Sequence, residues 1–129
     1  MKKIAFICTH NSCRSQISEA LAKLYNKGEF KIFSAGTHLK NEINPDAIRL
    51  MKEIYNIDMS KSQKPKLIED IGKVDYVVSM GCGVVCPSMD YNYEYIEWSI
   101  DDPSGKDDSY FKKIISELDS KIRNFLDSI

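Results

Sequence analysis

The sequence carries almost no net charge, because its 18 Lys and Arg residues nearly cancel its 19 Asp and Glu residues. Such a balance creates no overall field that would attract nucleic acid or an anionic membrane. No apolar run approaches the ~18 residues of a membrane-spanning helix, and the apolar run at 4–8 is shorter than the ~7 to 15 residues of a secretory signal. We therefore expect a cytoplasmic protein with no nucleic-acid or membrane partner. If the protein binds an anion, the attraction must therefore come from a few residues close to the binding site.

Internal repeats, low-complexity tracts and linker-like segments are also absent from the sequence. A chain of 129 residues with 43% apolar and 29% charged residues fits one globular domain, which we expect to span residues 1–129. Its core is large enough to be stable without crosslinks. Because cytosolic thiols stay reduced, the four cysteines are expected to be catalytic, metal-binding or plain core residues.

Hydrophobic periodicity predicts strands that alternate with helices. Short apolar runs at 3–8, 30–34, 74–80 and 93–100 are typical of strands, and residues 66–72 are a weaker helical candidate. Helical spacing begins near residue 15, continues from an Asn44 cap to about residue 56, and is clearest at 111–126. The apolar side chains of the first helix are Ile17, Ala20, Leu21 and Leu24. This order predicts an α/β fold, a doubly wound four-stranded parallel sheet with helices on both faces.

Ligands of such sheets bind beyond the carboxyl ends of the strands, which points first to the loop after the first strand. That loop consists of Cys8, Thr9, His10, Asn11, Ser12, Cys13, Arg14 and Ser15. Backbone N–H groups of a tight loop entering a helix, together with the positive helix end, form a cradle for a tetrahedral oxyanion. Arg14 would add a two-pronged contact that a lysine could not reproduce. The whole loop is therefore the predicted substrate-binding site.

Cys8 is the candidate nucleophile of this loop. An ordinary thiol is mostly protonated at neutral pH, but a helix N-terminus and a nearby guanidinium favour the thiolate. A hydroxyl from Ser12 or Ser15 could hydrogen-bond the sulfur and stabilise that thiolate further. The alternative is that Cys8 is a small buried hydrophobic residue at the end of a strand. Cys13 faces the start of the first helix and is expected to be structural.

Two more cysteines, Cys82 and Cys86, follow the third predicted strand and should lie at the same edge of the sheet. Two glycines flank Cys82, so the backbone could bring the two thiols together as a switchable disulfide. They could instead be inert core thiols, or join Cys8 and a histidine in a metal site. A zinc site usually has close Cys or His pairs in both halves of the chain, and only one half supplies such a pair here. His10 and His38 are otherwise expected to be polar loop residues.

A pair of carboxylates, Asp101 and Asp102, follows the last predicted strand. Pro103 disfavours helix at the residue before it and so holds Asp102 in an extended loop. A carboxyl group near a leaving oxygen can act as a general acid when burial or an anionic neighbour keeps it protonated. The alternative is an ordinary turn and helix start, for which Asp-Pro-Ser-Gly is common.

Taken together, these motifs resemble the thioredoxin-coupled arsenate reductases, relatives of the low-molecular-weight protein tyrosine phosphatases. The resemblance covers nearly the whole chain and rests on the Cys8–Arg14 spacing, Ser34-Ala35-Gly36, Asn44-Pro45, the Cys82 and Cys86 pair, and Trp98 followed by Asp101-Asp102-Pro103. The extra cysteine pair distinguishes a reductase from a phosphatase. Phosphatases of the family also usually follow Asp-Pro with an aromatic pair, where this chain has Ser104 and Gly105.

The resemblance implies a three-cysteine relay that reduces arsenate to arsenite. Cys8 attacks arsenate held by Arg14 and the loop N–H groups, and Asp102 protonates the departing oxygen. Cys82 then attacks Cys8 and expels arsenite, after which Cys86 attacks Cys82 and leaves a disulfide that thioredoxin reduces. Phosphate, which has nearly the same shape and charge, is expected to bind weakly. The alternative is a phosphatase that hydrolyses phosphomonoesters through a phosphocysteine at Cys8.

Some members of this family bind potassium beside the loop through an Asn, a Glu, a Ser and an Asp. Asn11, Glu19 and Ser34 match the first three, but the Asp has no clear counterpart in residues 62–66. The charge of Lys66 could replace the cation. We therefore expect no cofactor, no resident metal and no dependence on potassium.

Overall fold

A computed structural model describes residues 1–38, 40–80 and 91–129 of the chain. The strands are β1 (Lys2–Cys8), β2 (Phe30–Gly36), β3 (Tyr76–Ser79) and β4 (Glu94–Glu97), and the helices are α1 (Arg14–Tyr25), α2 (Pro45–Tyr55), α3 (Met59–Ser62) and α4 (Asp108–Ser128). All neighbouring strands pair in parallel, in the order β2-β1-β3-β4. The predicted α/β fold with a four-stranded parallel sheet is confirmed. Within the described ranges, no helix is long and apolar enough to cross a membrane.

The main hydrophobic core lies on one face of the sheet. Alternate residues of a strand point to opposite faces, so Ile4 and Phe6 of β1 face one way while Ala5 and Ile7 face the other. The helices bury their apolar side chains against the first face, including Ile17, Leu21, Leu50, Met51, Phe111, Ile115 and Leu118. On the second face, Ala5 and Ile7 pack with Ala35, Val74 and Val77 and with Ile68 and Ile71 of the segment before β3. Because each fully buried Leu, Ile or Phe contributes about 1.5–3 kcal/mol, this burial supplies most of the driving force for folding.

The three stronger helix predictions differ from α1, α2 and α4 only at their margins. The apolar stripe of α4 is buried as predicted from Phe111 to Phe125. The first helix buries residues 15–22, but Leu24, two residues beyond this buried segment, is 48% exposed, against its predicted place on the apolar face. Asn44 caps α2 by accepting hydrogen bonds from two backbone N–H groups, and Asn56 ends it in the left-handed conformation. The four-residue helix α3 is too short for periodicity to predict.

The weak helical candidate at 66–72 is wrong, because only Ile68–Asp70 forms a single 3-10 turn. The N–H of Gly36 donates to the carbonyl of Lys66 at 2.8 Å, and Gly36 forms a parallel bridge with Leu67. These contacts with the edge of β2 require extended backbone at the start of the segment and so exclude a helix there. Strands β3 and β4 are also shorter than predicted, because β3 pairs with β1 only over Tyr76–Ser79 and β4 pairs with β3 only over Glu94–Glu97.

Three strands end together at one edge of the sheet, where the predicted site lies. Cys8 pairs with Gly36, and Ile7 pairs with Ser79, the last residue of β3. Gly36 is in tight contact with the loop that follows β1, because a Cβ added there would lie 2.7 Å from the Thr9 carbonyl oxygen and 2.9 Å from the Asn11 nitrogen. The loop is thus seated directly on the end of β2. Cys82 and Cys86 lie outside the described residues.

We expect Gly36→Ala to destabilise the fold by about 1–3 kcal/mol, the usual cost of forcing an extra methyl into a packed site. Both atoms that it meets belong to the backbone, so neither can rotate away. Urea unfolding measures the change in free energy, and amide chemical shifts of residues 9–11 report displacement of the loop. In the control Gly28→Ala the methyl group meets nothing within 4 Å, so those shifts should stay in place. Unchanged loop shifts in Gly36→Ala would contradict the close packing.

Candidate active site

The loop of residues 8–15 runs from the last residue of β1 into the first turn of α1. Cys8 is 4% exposed, and Asn11, Ser12, Cys13 and Ser15 are buried as well. Thr9 and Arg14 are half-buried, and His10 is exposed. The fold therefore brings the predicted cysteine, arginine and serines to the start of one helix, at the carboxyl edge of the sheet.

The side chain of Asn11 holds this loop together. Asn11 is fully buried and has a positive φ of 50°, a conformation that Asn adopts more readily than most residues. Its Oδ1 accepts the backbone N–H of Lys66 at 2.8 Å and Nε2 of Gln16 at 3.0 Å. Since a backbone N–H can only donate, this contact fixes the orientation of the Asn11 amide. Its Nδ2 consequently donates to Ser15 Oγ at 2.8 Å.

The Ser15 hydroxyl connects the side chain of Asn11 to the sulfur of Cys8. The Ser15 Oγ lies 2.8 Å from Cys8 Sγ, and both atoms are buried. When Cys8 is a thiolate its sulfur can only accept, so the Ser15 hydroxyl, which accepts a hydrogen bond from Asn11, then donates its own hydrogen to the sulfur. A donor aimed at the sulfur stabilises the thiolate, the nucleophilic form of the side chain.

The second cysteine of the loop, Cys13, is held in the thiol form. Burial raises the pKa of Cys13 to about 12, and the negative charge of Asp102 adds to this shift against the opposing hydrogen bond of Ser104. A thiol with this pKa is protonated at neutral pH and is a poor nucleophile. The two cysteines of the loop are therefore chemically distinct, in line with the structural role predicted for Cys13.

Arg14 connects the loop to the ends of two other strands. Its Nη1 donates to the carbonyl oxygens of Met80 at 2.6 Å and Ile100 at 2.7 Å. These carbonyls follow β3 and β4, so one guanidinium spans the carboxyl edge of the sheet. Arginine carries five N–H groups in a rigid plane, of which these two contacts use the pair on Nη1.

The loop after β4 carries the predicted acid, and its two carboxylates have different partners. Asp101 accepts a hydrogen bond from the Tyr110 hydroxyl of α4 at 3.0 Å, which holds it away from the site. Asp102 accepts the backbone N–H of Ser104 at 3.0 Å. Partial burial raises the pKa of Asp102, but the hydrogen bonds of Ser104 and the charges of Arg14 and Lys40 outweigh it and hold that pKa below its usual value. Asp102 is thus the carboxylate that faces the charges of the site.

Beside the loop, Glu19 is buried within a cluster of polar groups. It accepts the Ser34 hydroxyl at 2.5 Å and the Lys23 ammonium at 2.5 Å, and Lys66 Nζ lies 3.5 Å away. Lys66 Nζ also donates to the Lys64 carbonyl at 3.0 Å. Two ammonium groups therefore lie next to the one buried carboxylate of this cluster. Among residues 1–38, 40–80 and 91–129, no three or more His, Cys, Asp or Glu side chains are grouped to hold a metal ion.

Sequence reasoning missed two residues that support the site. Gln16 and Gln63 are buried, and Gln63 Nε2 donates to Gln16 Oε1 at 2.7 Å. Gln16 in turn reaches the Lys64 carbonyl at 2.9 Å and the Asn11 amide. A glutamine at the start of an amphipathic helix gives no sign of burial, so only tertiary structure reveals this role. His38, by contrast, is exposed as predicted.

Comparisons with known proteins agree with the loop and the fold. The family model for low molecular weight phosphotyrosine protein phosphatases matches residues 3–129. An arsenate reductase of Brevibacillus brevis is 36% identical over 130 residues, which cover 98% of this chain and 96% of that protein.

Solved structures of arsenate reductases also superpose on the chain. One described as an arsenate reductase in the phosphate binding state has a TM-score of 0.86 at 32% identity and covers 100% of this chain and 99% of its own. The thioredoxin-dependent arsenate reductase of Corynebacterium glutamicum has a TM-score of 0.80 at 34% identity over 99% of this chain, which spans 61% of that longer one. The family resemblance inferred from the motifs is confirmed: the chain belongs to the low molecular weight phosphotyrosine protein phosphatase family.

Proposed function

We propose that the protein is a thioredoxin-coupled arsenate reductase that uses Cys8, Cys82 and Cys86 in sequence. The observation that carries the proposal is the buried Cys8 sulfur, which lies 2.8 Å from the Ser15 hydroxyl at the start of a helix, in the same loop as Arg14. The near-full-length similarity to proteins named arsenate reductase supports this activity within the family. Reduction in a thiol-reducing compartment such as the cytoplasm fits the free thiols of Cys8 and Cys13.

Arsenate binds in the 8–15 loop in this proposal. The backbone N–H groups of the loop and the positive end of α1 surround a tetrahedral oxyanion. Because the two Nη1 hydrogens of Arg14 bind carbonyls, the edge formed by Nε and Nη2 holds two oxygens of the oxyanion. Phosphate matches arsenate in shape and charge and occupies the same cradle as an analogue.

Cys8 then forms a covalent adduct with the bound arsenate. The Cys8 thiolate attacks arsenic, a sulfur–arsenic bond forms, and one arsenate oxygen leaves as water with a proton from Asp102. The lowered pKa of Asp102 means that this proton is taken up together with the oxyanion, whose negative charge favours the neutral carboxylic acid. The Ser15 hydroxyl, which lies next to Cys8 Sγ, stabilises the sulfur during this step.

The two remaining cysteines supply the electrons that reduce arsenic. Cys82 attacks Cys8 Sγ, the sulfur–arsenic bond breaks, and its electron pair leaves with arsenic, which is reduced from the pentavalent to the trivalent state. Cys86 next attacks Cys82 Sγ, which releases the Cys8 thiolate and leaves a Cys82–Cys86 disulfide. The dithiol of thioredoxin reduces this disulfide and restores the enzyme. The two electrons that arsenate accepts are therefore supplied in the end by thioredoxin.

The surroundings of the loop favour a reductase over a phosphotyrosine phosphatase. An open depression beside Ser12 is lined by residues 40–45, and none of the described residues that line it is aromatic. An aryl phosphate would find no stacking partner among these side chains. The small polar residue Ser104 also follows the Asp-Pro pair, where phosphatases of the family usually have aromatic residues. A small inorganic oxyanion needs no aromatic residue at either of these two places.

Asp102→Asn should lower turnover by roughly a hundredfold or more with little change in anion binding, because the acid acts only as the oxygen departs. Steady-state rates measure the first effect, and phosphate titration by calorimetry measures the second. The rate of the wild type should fall as pH rises through the pKa of Asp102 in the complex, since only the protonated carboxyl can donate. Asp101→Asn is the matched control, because Asp101 is bound to Tyr110. A larger loss in the control would assign the acid to Asp101.

The relay predicts a defined set of disulfides after one equivalent of arsenate is added to the reduced protein without thioredoxin. Peptide mass mapping should find Cys82 joined to Cys86 in the wild type and Cys8 joined to Cys82 in Cys86→Ser. Cys82→Ser should form neither, yet should keep hydrolysis of p-nitrophenyl phosphate, which needs only the 8–15 loop and Asp102.

Cys8→Ser is the control that should lose both reactions. Free Cys82 and Cys86 in the wild type after arsenate has been consumed would contradict the relay and favour the phosphatase alternative.

Lys66 takes the place of a bound cation in this proposal, so exchanging KCl for NaCl at equal ionic strength should change neither Tm nor turnover. Lys66→Met should cost about 1.5–3 kcal/mol, the usual value for a hydrogen bond to a charged group, because it removes an ammonium from the buried Glu19. Thermal unfolding of the wild type and of Lys66→Met in the two salts measures the changes in stability, and steady-state rates in the same salts measure turnover. A Tm of the wild type that rises specifically with potassium would show that the cation is still bound.

A further inference from the structure

We propose that Asn44 is a positioning residue, whose side chain holds Ser104, and with it the Asp102 loop, in place against the 8–15 loop. The inference rests on the proposed function in one respect, because it takes Asp102 as the acid. It adds a role for two side chains that do not reach the oxyanion themselves.

Asn44 contacts three parts of the active site at once. Its backbone N–H donates to the Ser12 carbonyl at 2.9 Å, which attaches it to the 8–15 loop. Its Oδ1 accepts the N–H groups of Asp46 at 2.8 Å and Ala47 at 3.3 Å, which caps α2. Its Nδ2 donates to Ser104 Oγ at 3.3 Å, two residues beyond Asp102.

The cap alone does not account for an asparagine at this position. Ser, Thr and Asp cap helices about as well, because the cap needs only a side-chain oxygen. The two N–H contacts of the cap fix which end of the amide carries the oxygen, so Nδ2 must point toward Ser104. A capping serine ends at its own Oγ, so it places no donor at the position where Asn44 Nδ2 meets Ser104.

Ser104 connects Asn44 to Asp102, the proposed acid. Its backbone N–H donates to Asp102 Oδ1 at 3.0 Å, so the position of Ser104 sets the position of the carboxylate. The Ser104 hydroxyl also contributes to the lowered pKa of Asp102. A shift of Ser104 would therefore move the acid and change its ionisation together.

Other contacts fix the two ends of the Asp102 loop, and in its middle the Ser104 side chain contacts Cys13 of the 8–15 loop as well as Asn44. Arg14 holds the Ile100 carbonyl at 2.7 Å before the loop. Arg49 of α2 binds both oxygens of Asp108, at 2.7 and 3.0 Å, where α4 begins. Between these two anchors, the Asn44 contact joins the loop to the anion cradle, and misplacing an acid by about 1 Å is enough to slow a reaction by as much as a hundredfold.

The test uses Asn44→Ser, which keeps the capping oxygen and removes the Nδ2 group that reaches Ser104. We expect kcat to fall roughly tenfold, with KM and Tm nearly unchanged, because an acid is displaced and no substrate contact is lost. Ser104→Ala should produce a similar loss and should also move the pH at which the rate falls to a higher value, since a hydrogen bond to the carboxylate form disappears. The double variant should be no slower than the slower single one. Asn44→Ala, which removes the cap as well, should in addition lower Tm.

The decisive comparison repeats Asn44→Ser in the Asp102→Asn background. If Asn44 acts by positioning the acid, the substitution should have no further effect on kcat there. An equal tenfold loss in both backgrounds, or additive losses with Ser104→Ala, would overturn the proposal.

The kcat of each variant relative to wild type is measured with two substrates, arsenate together with thioredoxin and p-nitrophenyl phosphate. Wild-type protein that hydrolyses the aryl phosphate but does not reduce arsenate would reject the proposed function, while the Asn44 ratios on the aryl phosphate would still decide the positioning role.

Discussion

The buried amide of Asn11 is the interaction on which the active site depends. A loop that leaves a strand and enters a helix within a few residues must turn its N–H groups inward, and Asn11 makes that turn with a positive φ. Such a conformation costs roughly 1–2 kcal/mol for a residue with a Cβ. The hydrogen bonds to Lys66, Gln16 and Ser15 offset this cost, because a buried polar group is stable only when it is paired. The orientation of this one amide then sets the direction of the Ser15 hydroxyl and the environment of Cys8.

The rest of the fold assembles reactive groups around this loop from separate parts of the chain. Arg14 joins it to the carbonyls after β3 and β4, and Asn44 joins it to the start of α2 and to the Asp102 loop. Every one of these contacts uses a backbone carbonyl or a polar side chain at the carboxyl edge of the sheet. A parallel sheet brings the strand ends together at one edge, so the topology and the chemistry are linked.

The order of strands and helices and the location of the site could be predicted from the sequence, because both follow from local patterns. A buried strand followed by a polar loop and a helix is visible at residues 3–24 without any tertiary information. The failed helix at 66–72 has the opposite cause, since its start is extended by pairing with Gly36, a residue thirty positions away. Periodicity does not predict the burial of Gln16, Gln63 and Glu19 for the same reason, since each of them has a partner distant in sequence. The double role of Asn44 was half visible, as a helix cap, because only the cap is a local interaction.

We infer that arsenate accepts two electrons from thioredoxin through this protein. The most direct test follows arsenite release and NADPH oxidation together in the presence of thioredoxin and thioredoxin reductase. We expect continuous turnover with one arsenite formed for each NADPH oxidised, because each arsenate takes two electrons and leaves one disulfide, whose reduction consumes one NADPH. No arsenite above that of the Cys8→Ser protein, together with steady hydrolysis of p-nitrophenyl phosphate, would contradict it.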